Sequence, residues 1–295
     1  MKKAALRSLL MFLLLLPVAE AQEYDFEYDV PFVPTRNEVL DVMLSMAKVT
    51  KDDVLYDLGC GDGRIVVTAA KLSGCRGVGI DINPVRIAES KENAAKAKVT
   101  DKVRFIEQNL FEADIHEATV VTLYLLPEVN LKLRPNLIKQ LKPGTRVVSH
   151  NYTMGEWDAD DYKEVEVKDS THDVYFWVVP ANVSGAWRVN ILSAAGNKEY
   201  KITLNQKFQH VFGAFASGAM NRPLQEFTIT GDKVVFSLED GSGEKAFRMG
   251  FEGKVSGDSM SGAATKFTGQ SKTEGSWKAV RDPGTIKAID AGDDK

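Results

Sequence analysis

The sequence predicts an α/β doubly wound sheet followed by a small all-β barrel domain. Between residues 54 and 148, short β-rich runs alternate with helical patterns, which is typical of βαβ units on a parallel sheet. After Pro180-Ala181-Asn182 the pattern changes to short alternating runs broken by Gly, Ser, Asn and Asp, with no helical period. The chain has 295 residues, of which 44% are apolar and 26% charged, and this length and composition suit two domains with cores of their own.

Residues 1–21 have the pattern of a signal peptide. Basic side chains in the first seven residues precede the apolar run Leu9–Leu16, and the small-x-small triplet Ala19-Glu20-Ala21 follows. We expect cleavage after Ala21, so that the protein is exported to the periplasm or secreted and keeps no stable membrane span. An uncleaved N-terminal membrane anchor is the alternative, although this run is far shorter than the roughly 20 residues that an apolar helix needs to cross a bilayer.

Residues 22–181 form the predicted α/β domain. Its first helix is expected to open at Thr35-Arg36-Asn37-Glu38, which has the spacing of a capping box. The predicted strands are Val54–Leu58, Gly77–Ile80, Val103–Ile106, Thr119–Leu125 and Arg146–Ser149, and the predicted helices are Ile65–Leu72, Pro84–Ala97 and Glu128–Leu141. The runs Glu164–Val167 and Val174–Val179 predict a hairpin that closes the sheet.

Residues 182–282 form the predicted barrel, and residues 283–295 are expected to be a disordered tail. The predicted strands are Gly185–Ile191, Lys201–Asn205, Val211–Ala216, Glu226–Thr230, Lys233–Leu238, Phe247–Gly253, Ser259–Thr265 and Gly275–Val280. This number of strands in about a hundred residues suits a small closed barrel.

The motif with the most chemical content is Asp57-Leu58-Gly59-Cys60-Gly61-Asp62-Gly63, which lies between a predicted strand and a predicted helix. Glycines let the backbone turn tightly and approach a ligand closely, and the helix start offers free N–H groups. Asp81 ends the next strand, and Asn83 and Pro84 then open a helix. A carboxylate in that position can accept hydrogen bonds from both hydroxyls of a ribose.

Details of this loop favour one nucleoside cofactor over another. NAD sites prefer G-x-G-x-x-G, whereas here the third glycine comes one residue early, and Asp57 suits a cationic ligand. An NAD-linked oxidoreductase is therefore the less favoured class. The loop resembles motif I of class I S-adenosyl-L-methionine (AdoMet) methyltransferases, with a Rossmann-like fold. The resemblance implies a cofactor loop of Asp57, Gly59, Cys60, Gly61 and Gly63, a ribose contact from Asp81, and packing of Ile82 on the adenine.

The resemblance extends over about residues 28–180 to the group that includes the mitochondrial lysine methyltransferases acting on an ATP-synthase subunit. The segments that carry it are Pro31–Thr35, Asp57–Val66, Asn109–Phe111 and Thr122–Pro127. It implies AdoMet as cofactor and contributions from Asn109 and Leu110 to the adenine site. Asn109 stands where related enzymes often have an acid, and an amide can still accept a hydrogen bond from the adenine amino group.

The acceptor is predicted less sharply than the cofactor. The resemblance points to a protein lysine or other amine, with a small molecule as the next candidate. An exported, non-enzymatic binding module with a methyltransferase-like domain and a ligand-binding barrel is the alternative from another class. The formal net charge of −4 and the absence of an Asn-Pro-Pro-Tyr run both disfavour nucleic acid.

Tyr124 is the candidate catalytic residue. Methyl transfer needs chiefly in-line positioning of a neutral nucleophile, and the fourth strand should end near the methyl group. A tyrosine that merely packs at the strand end is the alternative interpretation. His150, Asn151 and Tyr152 follow the fifth strand and are candidates for the border of the pocket, although a lone histidine there is more often a loop residue.

Two further expectations concern cysteines and metals. Cys60 and Cys75 should be free thiols, with Cys75 buried, because a helix of about 15 Å should separate them. The scattered histidines and cysteines predict no metal site.

The barrel carries a weaker motif. Gly185-Ala186-Trp187 and Arg281 resemble the Gly-x-Trp motif and basic residue of calycin (lipocalin-like) barrels. The resemblance implies that the indole and the basic side chain pack at the closed end, around a cavity for a small apolar ligand. The alternative is that Trp187 and Trp277 are simply core aromatics, and a role of the barrel in substrate docking also remains open.

Overall fold

The computed structural model describes residues 32–193, 196–217, 220–240 and 246–292. The predicted signal peptide, residues 1–21, lies outside these ranges. The described part falls into a seven-stranded sheet with four helices and a nine-stranded antiparallel sheet.

The first sheet confirms the predicted α/β doubly wound fold. Its strands are β1 Val54–Leu58, β2 Arg76–Asp81, β3 Val103–Glu107, β4 Val120–Leu123, β5 Arg146–His150, β6 Asp161–Val167 and β7 Ser170–Val178. The order is β3-β2-β1-β4-β5-β7-β6, with β1 to β5 parallel and the β6–β7 hairpin antiparallel. The strand order reverses between β1 and β4, which leaves a crevice at their carboxyl ends, where sheets of this kind bind ligands.

Helices cover the two faces of this sheet unequally. The helices are α1 Asn37–Met46, α2 Arg64–Ser73, α3 Pro84–Ala97 and α4 Pro127–Gln140. Helices α1, α2 and α3 bury one face, whereas α4 is the helix packed on the other. The second face also buries Trp157 from the β5–β6 connection and Phe208 from the second sheet.

The predicted capping box at the start of α1 is wrong. Helix α1 begins at Asn37, and its N-cap Arg36 makes no side-chain capping bond. Thr35 is buried, and its hydroxyl lies 3.2 Å from Nδ1 of His150 on β5. The Thr35 side chain therefore makes a long-range hydrogen bond to His150 and not a local bond that caps the helix.

The second sheet is the predicted small barrel, with one strand more than the sequence indicated. Its strands are β8 Gly185–Ser193, β9 Gly196–Lys207, β10 His210–Ser217, β11 Met220–Pro223, β12 Gln225–Thr230, β13 Lys233–Asp240, β14 Phe247–Ser256, β15 Ser259–Thr268 and β16 Ser271–Arg281. The order is β11-β10-β9-β8-β16-β15-β14-β13-β12. Strand β12 lies against β10, where Leu224 N donates to Gly213 O, so the barrel is nearly closed. Strand β11 escaped prediction because its four residues lack apolar alternation and end in proline.

Aromatic rings fill part of the barrel interior. Phe236 and Phe251 lie nearly parallel with centroids 4.6 Å apart, and the buried Trp277 meets both edge-on. The calycin resemblance implied a contact between Trp187 and Arg281, and the Arg281 guanidinium lies 4.9 Å from the centre of the Trp187 ring. Ligand binding by the barrel stays a prediction.

The predicted disordered tail is wrong for residues 283–292. A 3₁₀ turn at Pro283–Thr285 follows β16, and Lys287 O accepts hydrogen bonds from Asn182 and Ser184 side chains. Asp290 then pairs with Lys207 through their backbones in an isolated β-bridge, and Ala291 packs on the second face of the first sheet. The tail is held because its backbone groups find partners in the barrel and in the segment that leads into it.

Cys60 and Cys75 are free thiols and Cys75 is buried, as predicted, and Cys60 is buried as well. In the part of the chain that the structure describes, no helix is long and apolar enough to cross a membrane.

Removal of the Arg281 side chain tests the closed end of the barrel. Arg281 is buried, stacks on Trp187, and donates to Asn182 O, Ser184 O and the Asp258 carboxylate. We expect Arg281→Ala to lower the free energy of unfolding by about 3 kcal/mol, since it leaves buried acceptors unpaired. Chemical denaturation measures this, with the exposed Arg188→Ala as a control expected to change stability by less than about 0.5 kcal/mol. Equal effects of the two substitutions would contradict the packing role.

Candidate active site

The turn from β1 into α2 holds three glycines in the left-handed region. Gly59, Gly61 and Gly63 have φ values of +80°, +51° and +73°. A Cβ on Gly59 would lie 2.7 Å from Leu125, and one on Gly61 would lie 2.4 Å from the Phe32 ring. Only glycine combines this backbone conformation with such close neighbours, so the motif folds as a tight loop.

Helix α3 braces the outer side of this loop. The Ser90 hydroxyl donates to Gly61 O at 2.7 Å, and the Asn93 amide donates to Asp62 O at 3.0 Å. Cys60 turns its side chain inward, with Sγ 4.0 Å from Ser90 Oγ, and burial raises the pKa of this thiol far above its usual range. Because the Cys60 side chain is buried, it is the backbone of Cys60 that can face a ligand at this loop.

Asp57 is a buried carboxyl group one residue before the end of β1. Thr122 on β4 donates to its Oδ1 at 2.7 Å. Burial, reinforced by the nearby charges of Asp81 and Asp62, raises the pKa of Asp57 to about 7 despite that hydrogen bond. A buried carboxyl group with such a pKa gains most from a cationic ligand, which would favour its ionised form.

Asp81 joins the end of β2 to the loop. Its Oδ2 accepts from Gly61 N at 2.8 Å and its Oδ1 accepts from Asn83 N at 2.9 Å. Each carboxylate oxygen keeps a second lone pair, so the half-buried group can still accept hydrogen bonds from a vicinal diol. The neighbouring Ile82 is exposed and presents an apolar surface beside this carboxylate.

Asn109 and Leu110 follow β3 on the same edge of the sheet. Asn109 Oδ1 accepts from Phe111 N at 3.0 Å and caps a 3₁₀ turn at Leu110–Glu112. This capping role was not foreseen, and it leaves one lone pair of Oδ1 for a ligand. Leu110 is half-buried and packs against the core of the second face.

Tyr124 lies at the end of β4 in a cluster with the residues that follow β5. Its ring stacks on His150 with centroids 3.8 Å apart. Burial and the neighbouring Tyr152 raise the pKa of Tyr124, while a hydrogen bond from Asn151 opposes them. The phenol therefore stays neutral at physiological pH and is no general base. The structure thus brings together Tyr124 and all three predicted bordering residues.

His150 is a buried structural histidine and not a loop residue. Its Nε2 lies 2.9 Å from Nδ1 of His172, and His172 Nε2 lies 3.1 Å from the Ser170 hydroxyl, which donates to Val167 O. Because the Ser170 hydroxyl donates to Val167 O, it accepts a hydrogen bond from His172 Nε2. His172 Nδ1 then accepts from His150 Nε2, and Thr35 donates to His150 Nδ1. Burial and the adjacent His172 lower the pKa of His150 to about 3, so the imidazole is neutral.

Asp173 adds a carboxylate beside this cluster. Tyr162 donates its phenol hydrogen to Asp173 Oδ1 at 2.7 Å, and the Tyr175 hydroxyl lies 3.5 Å from Oδ2. Asn151 links the backbone of β7 to Tyr124, because Asp173 N donates to Asn151 Oδ1 at 3.0 Å and the Asn151 side chain hydrogen-bonds the phenol. Asp173 thus supplies a partly exposed carboxylate whose charge acts on His150, the ring neighbour of Tyr124.

Sequence reasoning missed Thr35, Ser90, Asn93, Thr122, His172 and Asp173. All six act through partners distant in sequence, so no local pattern points to them. Among the described residues, no group of three or more His, Cys, Asp or Glu side chains is placed to hold a metal ion. The predicted lack of a metal site stays a prediction.

Known proteins match this chain over its first half. The family model for the ANTKMT methyltransferase domain matches residues 57–161. A protein-lysine N-methyltransferase of Saccharolobus islandicus is 49% identical over 151 residues, which are 51% of this chain and 94% of that protein. A human lysine N-methyltransferase named for an ATP-synthase subunit is 28% identical over 130 residues, 44% of this chain and 55% of that protein. The chain thus spans about half the length of the human relative.

Among solved structures, an RNA methyltransferase from Salinibacter ruber in complex with S-adenosyl-L-homocysteine is 54% identical, with a TM-score of 0.48. The alignment covers 51% of this chain and 96% of that one. The extent and identity of the match to the Saccharolobus protein confirm the resemblance that the loop carried. The chain therefore belongs to the ANTKMT methyltransferase family and is an S-adenosyl-L-methionine-dependent methyltransferase.

Proposed function

We propose that this protein binds AdoMet at the carboxyl ends of β1, β2 and β3 and methylates a lysine side chain of a protein. AdoMet supplies an electrophilic methyl group on a sulfonium. The observation that carries the assignment is the crevice between β1 and β4, with the glycine loop and Asp81 on one side and Tyr124 on the other.

The residues of the loop suit this cofactor. Backbone without Cβ atoms at Gly59 and Gly61 leaves room for the methionyl part, while Asp81 accepts the ribose hydroxyls and Ile82 covers the adenine. Asn109 accepts from the adenine amino group with the free lone pair of Oδ1. Asp57 offers a buried acid to a ligand of net positive charge.

The surroundings of Tyr124 favour an amine acceptor. A protonated lysine that approaches the cluster meets the Asp173 carboxylate and the faces of Tyr162 and Tyr175, an arrangement that attracts an ammonium group. Tyr124 and Asn151 then orient the nitrogen after it has lost its proton. The lysine methyltransferases among the relatives support the same acceptor.

A small amine is the second candidate acceptor, because the same acid and rings would attract it. The non-enzymatic binding module from the sequence analysis predicts AdoMet binding without turnover. The basic and apolar pattern of the first 21 residues supports export, so acceptors are proposed among periplasmic or secreted proteins. An uncleaved anchor would place the same domain at the membrane surface. Nucleic acid remains a disfavoured acceptor.

The Asp81→Ala substitution tests the function. The full chain is incubated with methyl-labelled AdoMet and, separately, with envelope proteins, free amines or RNA, and methyl-lysine is sought by mass spectrometry. We expect label on protein lysine, and at least a tenfold weaker affinity of Asp81→Ala for AdoMet in calorimetry, because the ribose hydrogen bonds are lost. The exposed Asp101→Ala serves as a control that leaves both unchanged.

Label confined to small amines would select the second candidate, and label on RNA would overturn the protein acceptor. Unchanged AdoMet affinity in Asp81→Ala would contradict the cofactor assignment. Tight AdoMet binding without labelling of any acceptor would favour the binding module.

The raised pKa of Asp57 predicts a pH-dependent affinity for AdoMet. As pH rises through about 7 the carboxyl group ionises and meets the cationic cofactor, so affinity should rise between pH 6 and 8, by at most about tenfold per unit. Asp57→Asn keeps an acceptor for the Thr122 hydroxyl and should give weaker binding with a flat profile. Calorimetry across this range measures both.

Asp57→Asn should weaken AdoMet binding but stabilise the ligand-free fold. The pKa of Asp57 in the fold lies above its unfolded value, so this group destabilises the fold as pH rises from about 4 to about 7. Asp57→Asn should therefore raise the melting temperature at pH 8 and leave it unchanged at pH 4. A lower melting temperature for the variant at pH 8 would contradict the raised pKa.

Tyr124→Phe tests the reaction site. Loss of the phenol oxygen should lower kcat for the lysine acceptor about tenfold, equivalent to about 1.4 kcal/mol, because the nitrogen loses an orienting partner. AdoMet affinity should stay within twofold of the wild type. Tyr56→Phe is the matched control, since that buried tyrosine bonds Arg104 on β3 and packs in the core of the second face. Equal rates for wild type and Tyr124→Phe would reduce Tyr124 to a packing residue.

A further inference from the structure

The connection between β5 and β6, residues 151–160, has an unusual position in this fold. It contains no helix and packs on the second face of the sheet through Met154 and Trp157. Its first residues, Asn151 and Tyr152, belong to the cluster around Tyr124. We call residues 151–160 the acceptor loop, because its start borders the proposed acceptor site.

The far end of the acceptor loop is buried. Trp157 is 1% exposed, and its carbonyl accepts the indole N–H of Trp177 at 2.9 Å. Between the two ends, Met154 and Trp157 form an isolated β-bridge. The loop is thus a short folded segment, in which the bridge between Met154 and Trp157 ties the middle of the loop to the buried Trp157.

Two side chains of helix α4 hydrogen-bond to backbone carbonyls in the middle of the acceptor loop. The Asn130 amide lies 3.3 Å from both Tyr152 O and Thr153 O, and Arg134 donates to Met154 O at 2.9 Å. Both side chains are buried within the fold. A loop without regular structure therefore depends on side chains from elsewhere for its backbone hydrogen bonds.

The barrel contacts the acceptor loop through the turn between β9 and β10, Lys207-Phe208-Gln209-His210, which we call the barrel turn. Phe208 is fully buried, but in the core of the first sheet and not in that of the barrel. Its ring lies parallel to Trp157 at 6.0 Å and under the Arg134 guanidinium at 5.2 Å. A barrel residue thus completes the core beneath the acceptor loop.

Polar contacts surround this ring. Gln209 donates to Asp158 O at 2.7 Å, His210 lies 2.9 Å from the Asp158 carboxylate, and Lys207 forms an ion pair with Glu156. Phe208 N also donates to Asp290 O in the C-terminal segment. Every residue of the barrel turn therefore touches the acceptor loop or the chain that covers it.

We propose that the barrel turn positions the acceptor loop, and that Phe208 is a positioning residue for the acceptor site. Through Trp157 and Arg134 the ring fixes the acceptor loop, which begins at Asn151, and Asn151 in turn contacts Tyr124. The contacts of the barrel turn described above are to the acceptor loop and to Arg134 of α4, and not to the glycine loop or Asp81, so we assign its effect to the acceptor side. The role in acceptor positioning rests on the proposed function, whereas the mechanical coupling does not.

Amide hydrogen exchange in the full chain tests this coupling. In Phe208→Ala, exchange of amides in residues 151–160 should rise at least tenfold, while amides of β1 and β2 and the affinity for AdoMet stay within twofold of the wild type. The Tyr124 ring resonance should shift in the NMR spectrum of the ¹³C-tyrosine-labelled variant, because Asn151 no longer holds its phenol. Phe212→Ala, at an exposed phenylalanine four residues further along, is the matched control.

A second variant keeps the test decisive if Phe208→Ala does not fold. Phe208→Leu retains an apolar side chain of similar volume but loses the parallel stack on Trp157, and it should show the same local pattern at smaller amplitude. Unchanged exchange in residues 151–160, or an equal rise in β1, β2 and the acceptor loop, would overturn the proposal. A wild-type chain that fails to bind AdoMet would overturn the proposed function instead, and the exchange pattern would still decide the coupling.

Discussion

The tight turn from β1 into α2 is the constraint on which the methyltransferase site depends. Three glycines with positive φ bring the backbone against Leu125, Phe32 and Phe105, where a Cβ would collide. The turn exposes polar backbone groups, and its neighbours satisfy them: Ile80 O accepts from Gly59 N, Asp81 accepts from Gly61 N, and Ser90 donates to Gly61 O. Strand β2 and helix α3 are therefore placed by the same loop that forms the cofactor site, and a change in the turn propagates to both.

Burial favours the uncharged form of a titratable group on each side of the crevice. On the cofactor side it raises the pKa of Asp57 to about 7, which leaves a carboxyl group able to ionise when a cation arrives. On the acceptor side it lowers the pKa of His150 to about 3, which keeps the imidazole under Tyr124 neutral. A neutral imidazole does not repel an approaching ammonium group, and it leaves Asp173 as the local charge. The fold thus separates attraction of the cofactor from attraction of the acceptor.

The sequence was informative where structure is local. Strand and helix positions, the glycine loop and Asp81 follow from patterns within short segments, whereas the contact between Trp187 and Arg281 followed from the calycin resemblance. Sequence patterns did not reveal features made by distant partners. Thr35 has capping-box spacing yet bonds His150, which is 115 residues away. Asp173 is separated by intervening chain from Tyr124, and residues 283–292 look like a tail until their partners at Asn182 and Lys207 are known. Strand β11 lacks apolar alternation because it pairs at the barrel edge.

The barrel has a core of its own, but one of its residues also packs in the core of the first sheet. Phe208 belongs to the barrel by its position in the chain but packs in the core of the first sheet. Between the domains, the Gln206 side chain donates to Ala181 O and accepts from Val183 N. A linker of this kind has no freedom to act as a hinge, because its backbone groups are used on both sides. The barrel therefore covers a sheet face that carries one helix, and its influence reaches the acceptor side through that covered core.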